Sequence, residues 1–172
     1  MTPTPKTALL RPGSAAPDFS LPDADMAMLK LSKLHGKTVV LYFYPKDDTP
    51  GCTVEGIEFS DMEDEFIKYN SMVLGVSKDD CMSHAEFRDK HGLTVNLLAD
   101  VDGKVCEKYG VWQEKEKDGI KKMGITRSTF VIDRAGMLRH VQYGVVAKGH
   151  AAEILAIVKD LAQPIKIIRL DL

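Results

Sequence analysis

The chain has 172 residues, 44% of them hydrophobic and 28% charged, with a formal net charge of −2. That length fits one domain with a substantial core, and the near-neutral charge gives no electrostatic reason to expect nucleic acid or an anionic membrane as partner. The longest apolar run, Val39 to Tyr44, is far too short to cross a bilayer, and the N-terminal MTPTPKTALLRPG lacks the apolar stretch of a signal peptide, so a cytoplasmic protein is expected.

Residues 1–16, rich in Pro, Thr and Ala, are expected to form a loose arm. The stretch DFSLPDADMAMLKL reads as a hairpin: Phe19 to Leu21, a Pro-Asp turn, then Met28 to Leu31. A short helical turn follows from Ser32 to about Gly36. Val39–Tyr44 is apolar on both faces and rich in β-formers, which predicts a central strand covered on both sides.

Apolar residues at Val54, Ile57, Met62, Phe66 and Tyr69 predict one helix over 52–69, with Glu55 and Glu58 early in it where the helix dipole favours them. MVLGV at 72–76 is the next strand. Asp79 and Asp80 can cap a helix over 81–91 that Gly92 stops. A strand at 95–99, a short helix around 105–109 and a strand start at Val111 follow. The charged stretch 114–122 reads as a solvated hairpin or loop. STFVIDRAGMLRHVQYG is a hairpin turning at 133–136, and 150–162 is an amphipathic helix carrying Ile154, Leu155, Val158 and Leu161 on one stripe. The apolar tail 164–172 has no evident place. Strand–helix alternation of this kind predicts an α/β domain over 17–163, with the strands near 39 and 72 parallel.

The three cysteines, Cys52, Cys81 and Cys106, are too few and odd in number for a disulfide framework, and the scattered histidines lack metal-ligand spacing. No metal site is therefore expected. Cys52 stands apart. It falls at the first turn of a helix that follows a strand, where free backbone amides stabilise a thiolate, the reactive form. Pro45 and Pro50 stiffen the turn, and Thr49 can hydrogen-bond to the sulfur or to an oxygen bound beside it. The bland alternative is a small buried helix residue.

The segment FYPKDDTPGCTVEG resembles the active-site stretch of peroxiredoxins of the bacterioferritin comigratory protein type, also called PrxQ. The similarity continues through APDFSLPD, GVSKDD with the following SH and F, LLADVDGKVCEKYGVW and RSTFVIDRAG, in the family's order. The resemblance implies a thioredoxin-like fold, a central mixed sheet flanked by helices, with an extra N-terminal β-hairpin. It implies reduction of hydrogen peroxide and organic hydroperoxides without cofactor or metal, in antioxidant defence.

By the same resemblance Cys52 matches the peroxidatic cysteine, which becomes a sulfenic acid. Pro45 matches the proline that shields that group, Thr49 the hydroxyl that holds the peroxide, and Arg127 the arginine that steadies the thiolate and the developing charge. Glu55 matches a glutamate behind these residues. The usual positions of a resolving cysteine hold Ile57 and Arg88 instead. Two routes stay open: Cys81 as an unusual resolving cysteine with thioredoxin as reductant, or a one-cysteine enzyme resolved by an external thiol. Cys106 reads as buried structure. A disulfide reductase is disfavoured because Cys52 opens no C-x-x-C. A redox-responsive binding protein or holdase on the same scaffold is the alternative function. The assembly expected is a monomer or weak homodimer.

Overall fold

A computed structural model of the chain describes residues 9–162. The N-terminal hairpin pairs β1 (Ser20–Pro22) with β2 (Met28–Lys30), antiparallel. Asp23 closes its turn by accepting the backbone N–H groups of Asp25 and Ala27, each at 2.9 Å, as aspartate side chains do in turns. A 3-10 turn (Leu31–Leu34) leads into β3 (Thr38–Phe43), every residue of which is buried.

The predicted helix over 52–69 is two helices, α1 (Pro50–Asp61) and α2 (Glu63–Lys68), broken at Met62 (φ −98°, ψ 2°). The break gives Glu63, Asp64 and Glu65 a helix N-terminus of their own, where the dipole favours carboxylates; in one continuous helix they would lie mid-span. The chain continues through β4 (Ser71–Ser77), α3 (Cys81–His91), β5 (Asn96–Ala99) and α4 (Lys104–Lys108). Asp80 caps α3 by accepting Ser83 N–H at 2.8 Å, and Gly92 ends it in the left-handed region (φ 63°). The charged stretch after Val111 is a hairpin: β6 (Trp112–Lys117) and β7 (Ile120–Ile125) join through Asp118 and Gly119, both at positive φ. β8 (Ser128–Ile132), β9 (Leu138–Tyr143) and α5 (His150–Ala162) complete the chain.

The five-stranded sheet runs β5-β4-β3-β8-β9. β3 is parallel to β4 and antiparallel to β8, so the sheet is mixed. Alternation along β3 feeds two cores. Val39, Leu41 and Phe43 point to one with Phe19, Leu98, Tyr109 and Phe130; Val40, Tyr42 and Tyr44 point to the other with Cys52, Phe59, Phe66, Ile154 and Val158. Burial on both faces is why the β3 sequence is apolar throughout. Tyr42 stacks on Phe59 at 4.7 Å, and its ring crosses Gly75, its partner on β4, where a Cβ would lie 2.7 Å from the ring.

The second half of the expected arm is tied down. Gly13 N–H donates to Leu138 O, Leu138 N–H to Ser14 O, and Ala16 N–H to Gly136 O, at 2.8–2.9 Å. Residues 1–8 and the tail 164–172 lie outside the described residues. Among the described residues, no helix is long and apolar enough to cross a membrane.

Candidate active site

The turn between β3 and α1 sets the position of Cys52. Asp48 takes a left-handed conformation (φ 58°), Thr49 is extended, and Pro50 opens the helix, a place where its missing N–H costs nothing. The helix thus starts two residues before the predicted point, and Cys52 is its third residue. Only 2% of Cys52 is exposed, as the alternative of a small buried helix residue expects.

What distinguishes the thiol is its partner. Arg127 Nη2 donates to Cys52 Sγ at 3.3 Å, and Arg127 Nη1 donates to Glu55 Oε1 at 2.7 Å. Pairing of Phe43 with Ser128 brings the exit of β3 and the entry of β8 to one sheet edge, so Arg127, just before β8, meets α1 as it begins. The guanidinium lies close over the helix start: a Cβ on Gly51 would be 3.0 Å from Nη2. The Arg127 carbonyl takes the N–H groups of Gly144 and Val145, each at 3.0 Å, which fixes the backbone beneath it.

Glu55 lies one turn further along α1, buried, and its Oε2 has no hydrogen-bond partner among the described residues. Burial pushes its carboxyl up to about 7, against the opposing pull of Arg127. Burial disfavours the Arg127 charge, but Glu55 and Cys52 outweigh this and hold its pKa above the ordinary value. Tyr42 lies in the same core as Cys52; burial, then the charges of Glu55 and Cys52, keep its hydroxyl protonated well beyond the usual range. Thr49 Oγ1 donates to Lys46 O at 2.8 Å, leaving its lone pairs free to accept. Pro45 is exposed beside this turn.

Cys81 is the first residue of α3, half-buried, and all three cysteines are free thiols. Arg88, two turns on, is paired with Asp25 and Asp89 at 3.0 Å each. Cys106 is fully buried in the core that holds Tyr109, and burial pushes its thiol far up. Among the described residues no group of three or more His, Cys, Asp or Glu side chains is placed to hold a metal ion.

Sequence reading missed two features. Lys115 reaches back from the β6–β7 hairpin to donate to the Ile125 carbonyl, and burial, then the Arg127 charge, push its ammonium down. A buried cluster of Tyr44, Asp47 and His84 packs behind the turn. Its only signal was the run GVSKDDCMSH, in which aspartates and a histidine gather near a helix start.

Residues 12–141 match the family model described as the AhpC/TSA family. A putative peroxiredoxin Bcp of Coxiella burnetii is 47% identical over 143 residues, which covers 83% of this chain and 95% of that protein. Peroxiredoxin Bcp of Bacillus subtilis is 42% identical over 151 residues, covering 88% and 96%. Among solved structures, the bacterioferritin comigratory protein of Xanthomonas campestris, studied for alkyl peroxide reduction, superposes with a TM-score of 0.81 at 36% identity, over 84% of this chain and 92% of that one. A cysteine-to-serine variant of Xylella fastidiosa PrxQ superposes with a TM-score of 0.86 at 34% identity, over 91% and 99%. The chain therefore belongs to the AhpC/TSA family and, within it, to the bacterioferritin comigratory protein (PrxQ) type of peroxiredoxin, a thiol-dependent peroxidase on a thioredoxin-like fold.

Proposed function

We propose that Cys52 is the peroxidatic cysteine and that Arg127, Thr49 and Pro45 assist it. The observation that carries this reading is the 3.3 Å bond from Arg127 Nη2 to Cys52 Sγ, with Glu55 bracing the same guanidinium from its other arm. The thiolate attacks the terminal oxygen of a hydroperoxide. An S–O bond forms, the O–O bond breaks, and the departing oxygen takes a proton to leave as water or an alcohol. Cys52 is left as a sulfenic acid. Negative charge moves from sulfur to the departing oxygen, and a fixed guanidinium can follow that movement without reorganising. Thr49 keeps lone pairs free to accept a hydrogen bond from the hydroperoxide, and Pro45 covers the sulfenic acid.

A thiol then displaces water from the sulfenic acid to give a disulfide. That thiol is either an external one, or Cys81 followed by reduction by thioredoxin. The substrates on this reading are hydrogen peroxide and organic hydroperoxides, a view supported by the alkyl peroxide reduction of the Xanthomonas relative. The working unit is the domain over 17–163, acting in the cytoplasm as a monomer or weak homodimer, with neither nucleic acid nor membrane as partner. The test is peroxide consumption with a thiol donor, wild type against Cys52→Ser. The variant is expected to lose turnover altogether. Turnover retained in Cys52→Ser would remove Cys52 from the centre of the chemistry.

A further inference from the structure

Between β3 and α1 the chain is held by side chains that the peroxide chemistry does not use. His84, the fourth residue of α3, is 0% exposed. Its Nε2 is 2.9 Å from Leu98 O, and its Nδ1 is 2.7 Å from Asp47 Oδ2 and 3.3 Å from the Tyr44 hydroxyl. A carbonyl only accepts, so Nε2 carries a hydrogen. Asp47 is buried too. Its Oδ1 accepts the Tyr44 hydroxyl at 2.6 Å, and its Oδ2 accepts the Ser83 hydroxyl at 2.8 Å. Burial, then the charge of Asp47, push the Tyr44 hydroxyl well above its usual range, so it remains a donor. Two hydroxyls donating to Asp47 favour its ionised form, and an ionised Asp47 is a pure acceptor for an N–H at Nδ1.

The place of this ion pair gives it a task. Asp47 lies between Pro45 and Thr49. Its own N–H donates to Asp79 Oδ2 at 2.8 Å, and that same oxygen accepts the Ser77 hydroxyl at 2.7 Å. The groups facing the ring are thus Asp47 and Tyr44 from the turn and the Leu98 carbonyl from β5, with Asp79 one bond further on. Among the described residues, His84 is the one basic side chain paired with Asp47. The next residue, Asp48, sits at positive φ, which aspartate tolerates in turns.

We propose that His84 is a positioning residue for the peroxide reaction: as a buried imidazolium it anchors Asp47, and through Asp47 it fixes the turn that carries Pro45 and Thr49. This inference rests on the reading of Cys52 as peroxidatic. Loss of the cation strands a buried carboxylate at the head of the turn. Small displacements of groups that orient a substrate cost rate steeply, to about 100-fold for about 1 Å.

The test has two parts, both on the full chain. The first is nitrogen-15 NMR of the histidine rings at neutral pH, with the His84 signals assigned by their loss in His84→Gln. Two protonated ring nitrogens are expected; one bare nitrogen overturns the inference. The second is steady-state kinetics of His84→Gln and Asp47→Asn at thiol-donor concentrations where reductant limits kcat. Each variant is expected to lose about tenfold or more in kcat/KM for hydrogen peroxide while kcat at saturating peroxide holds. An unchanged kcat/KM, or a parallel fall in both constants as from a smaller folded fraction, overturns it. Should His84→Gln not fold, the kinetics of Asp47→Asn still decide. A wild-type protein that forms no sulfenic acid on Cys52 would instead overturn the peroxidatic reading and leave the ring's charge state standing.

Discussion

Arg127 divides one guanidinium between two acceptors, Cys52 Sγ at 3.3 Å and Glu55 Oε1 at 2.7 Å. The planar fork allows both bonds at once; a lysine ammonium on a flexible stem would have to choose. Under the proposed mechanism Arg127→Ala slows sulfenic acid formation by about 100-fold, the range seen when one donor to a developing charge is lost. Arg127→Lys is expected to recover little of it. Single-turnover oxidation followed by rapid quench measures both, and rates near wild type would remove Arg127 from the chemistry. Glu55 makes a separate prediction. Its carboxyl is raised from 4.5 to about 7, so across that window the native state holds a proton that the unfolded chain has released. Stability therefore falls as pH rises through the window, by roughly 3 kcal/mol for a shift of this size. Glu55→Gln is expected to flatten that slope, read from urea midpoints at about pH 5 and about pH 8. An equally steep slope in the variant would place the titration elsewhere.

At the scale of elements, the opening of α1 joins sequence to site most closely. Pro50 starts the helix, Gly51 leaves room for the guanidinium, and Cys52 follows among the helix's free amides. Gly51→Ala puts a methyl 3.0 Å from Arg127 Nη2. Alanine suits a helix better than glycine, so the fold is expected to hold while sulfenic acid formation slows by roughly tenfold as the guanidinium is displaced. A melting midpoint at or above wild type with a slower reaction is the expected pair of results; an unchanged rate would mean the guanidinium moves aside freely. Most elements were legible from periodicity and caps, α3 with Asp80 before it and Gly92 after it being the clearest case. The break at Met62 was not, because apolar residues continue past it at Phe66 and Tyr69; only the step of five from Ile57 to Met62 and the acidic triplet hint at a second start. His84 was illegible for a different reason: one histidine in a helix says nothing of the carbonyl and carboxylate that tertiary packing brings to its ring.

At the scale of the molecule, topology assembles the site from residues 75 apart in sequence. β3 exits where β8 enters, so the helix after one strand and the arginine before the other share an edge; β4, parallel to β3, delivers Cys81 after its own exit on that side. The α/β pattern and the parallel β3–β4 pair could be read from the chain, but the antiparallel insertion of β8 between β3 and β9 could not, since nothing local in STFVI names its neighbours. The same arrangement separates three thiols into three settings: Cys52 under a guanidinium, Cys81 half-buried at a helix start, and Cys106 sealed in the opposite core. Mass spectrometry of the full chain after one equivalent of hydrogen peroxide, without reductant and with a sulfenic acid trap, tests the central claim most directly. The account predicts oxidation at Cys52, either as a trapped sulfenic acid or as a Cys52–Cys81 linked peptide, with Cys106 still a thiol. Cys52 recovered as a free thiol while peroxide is consumed would contradict it.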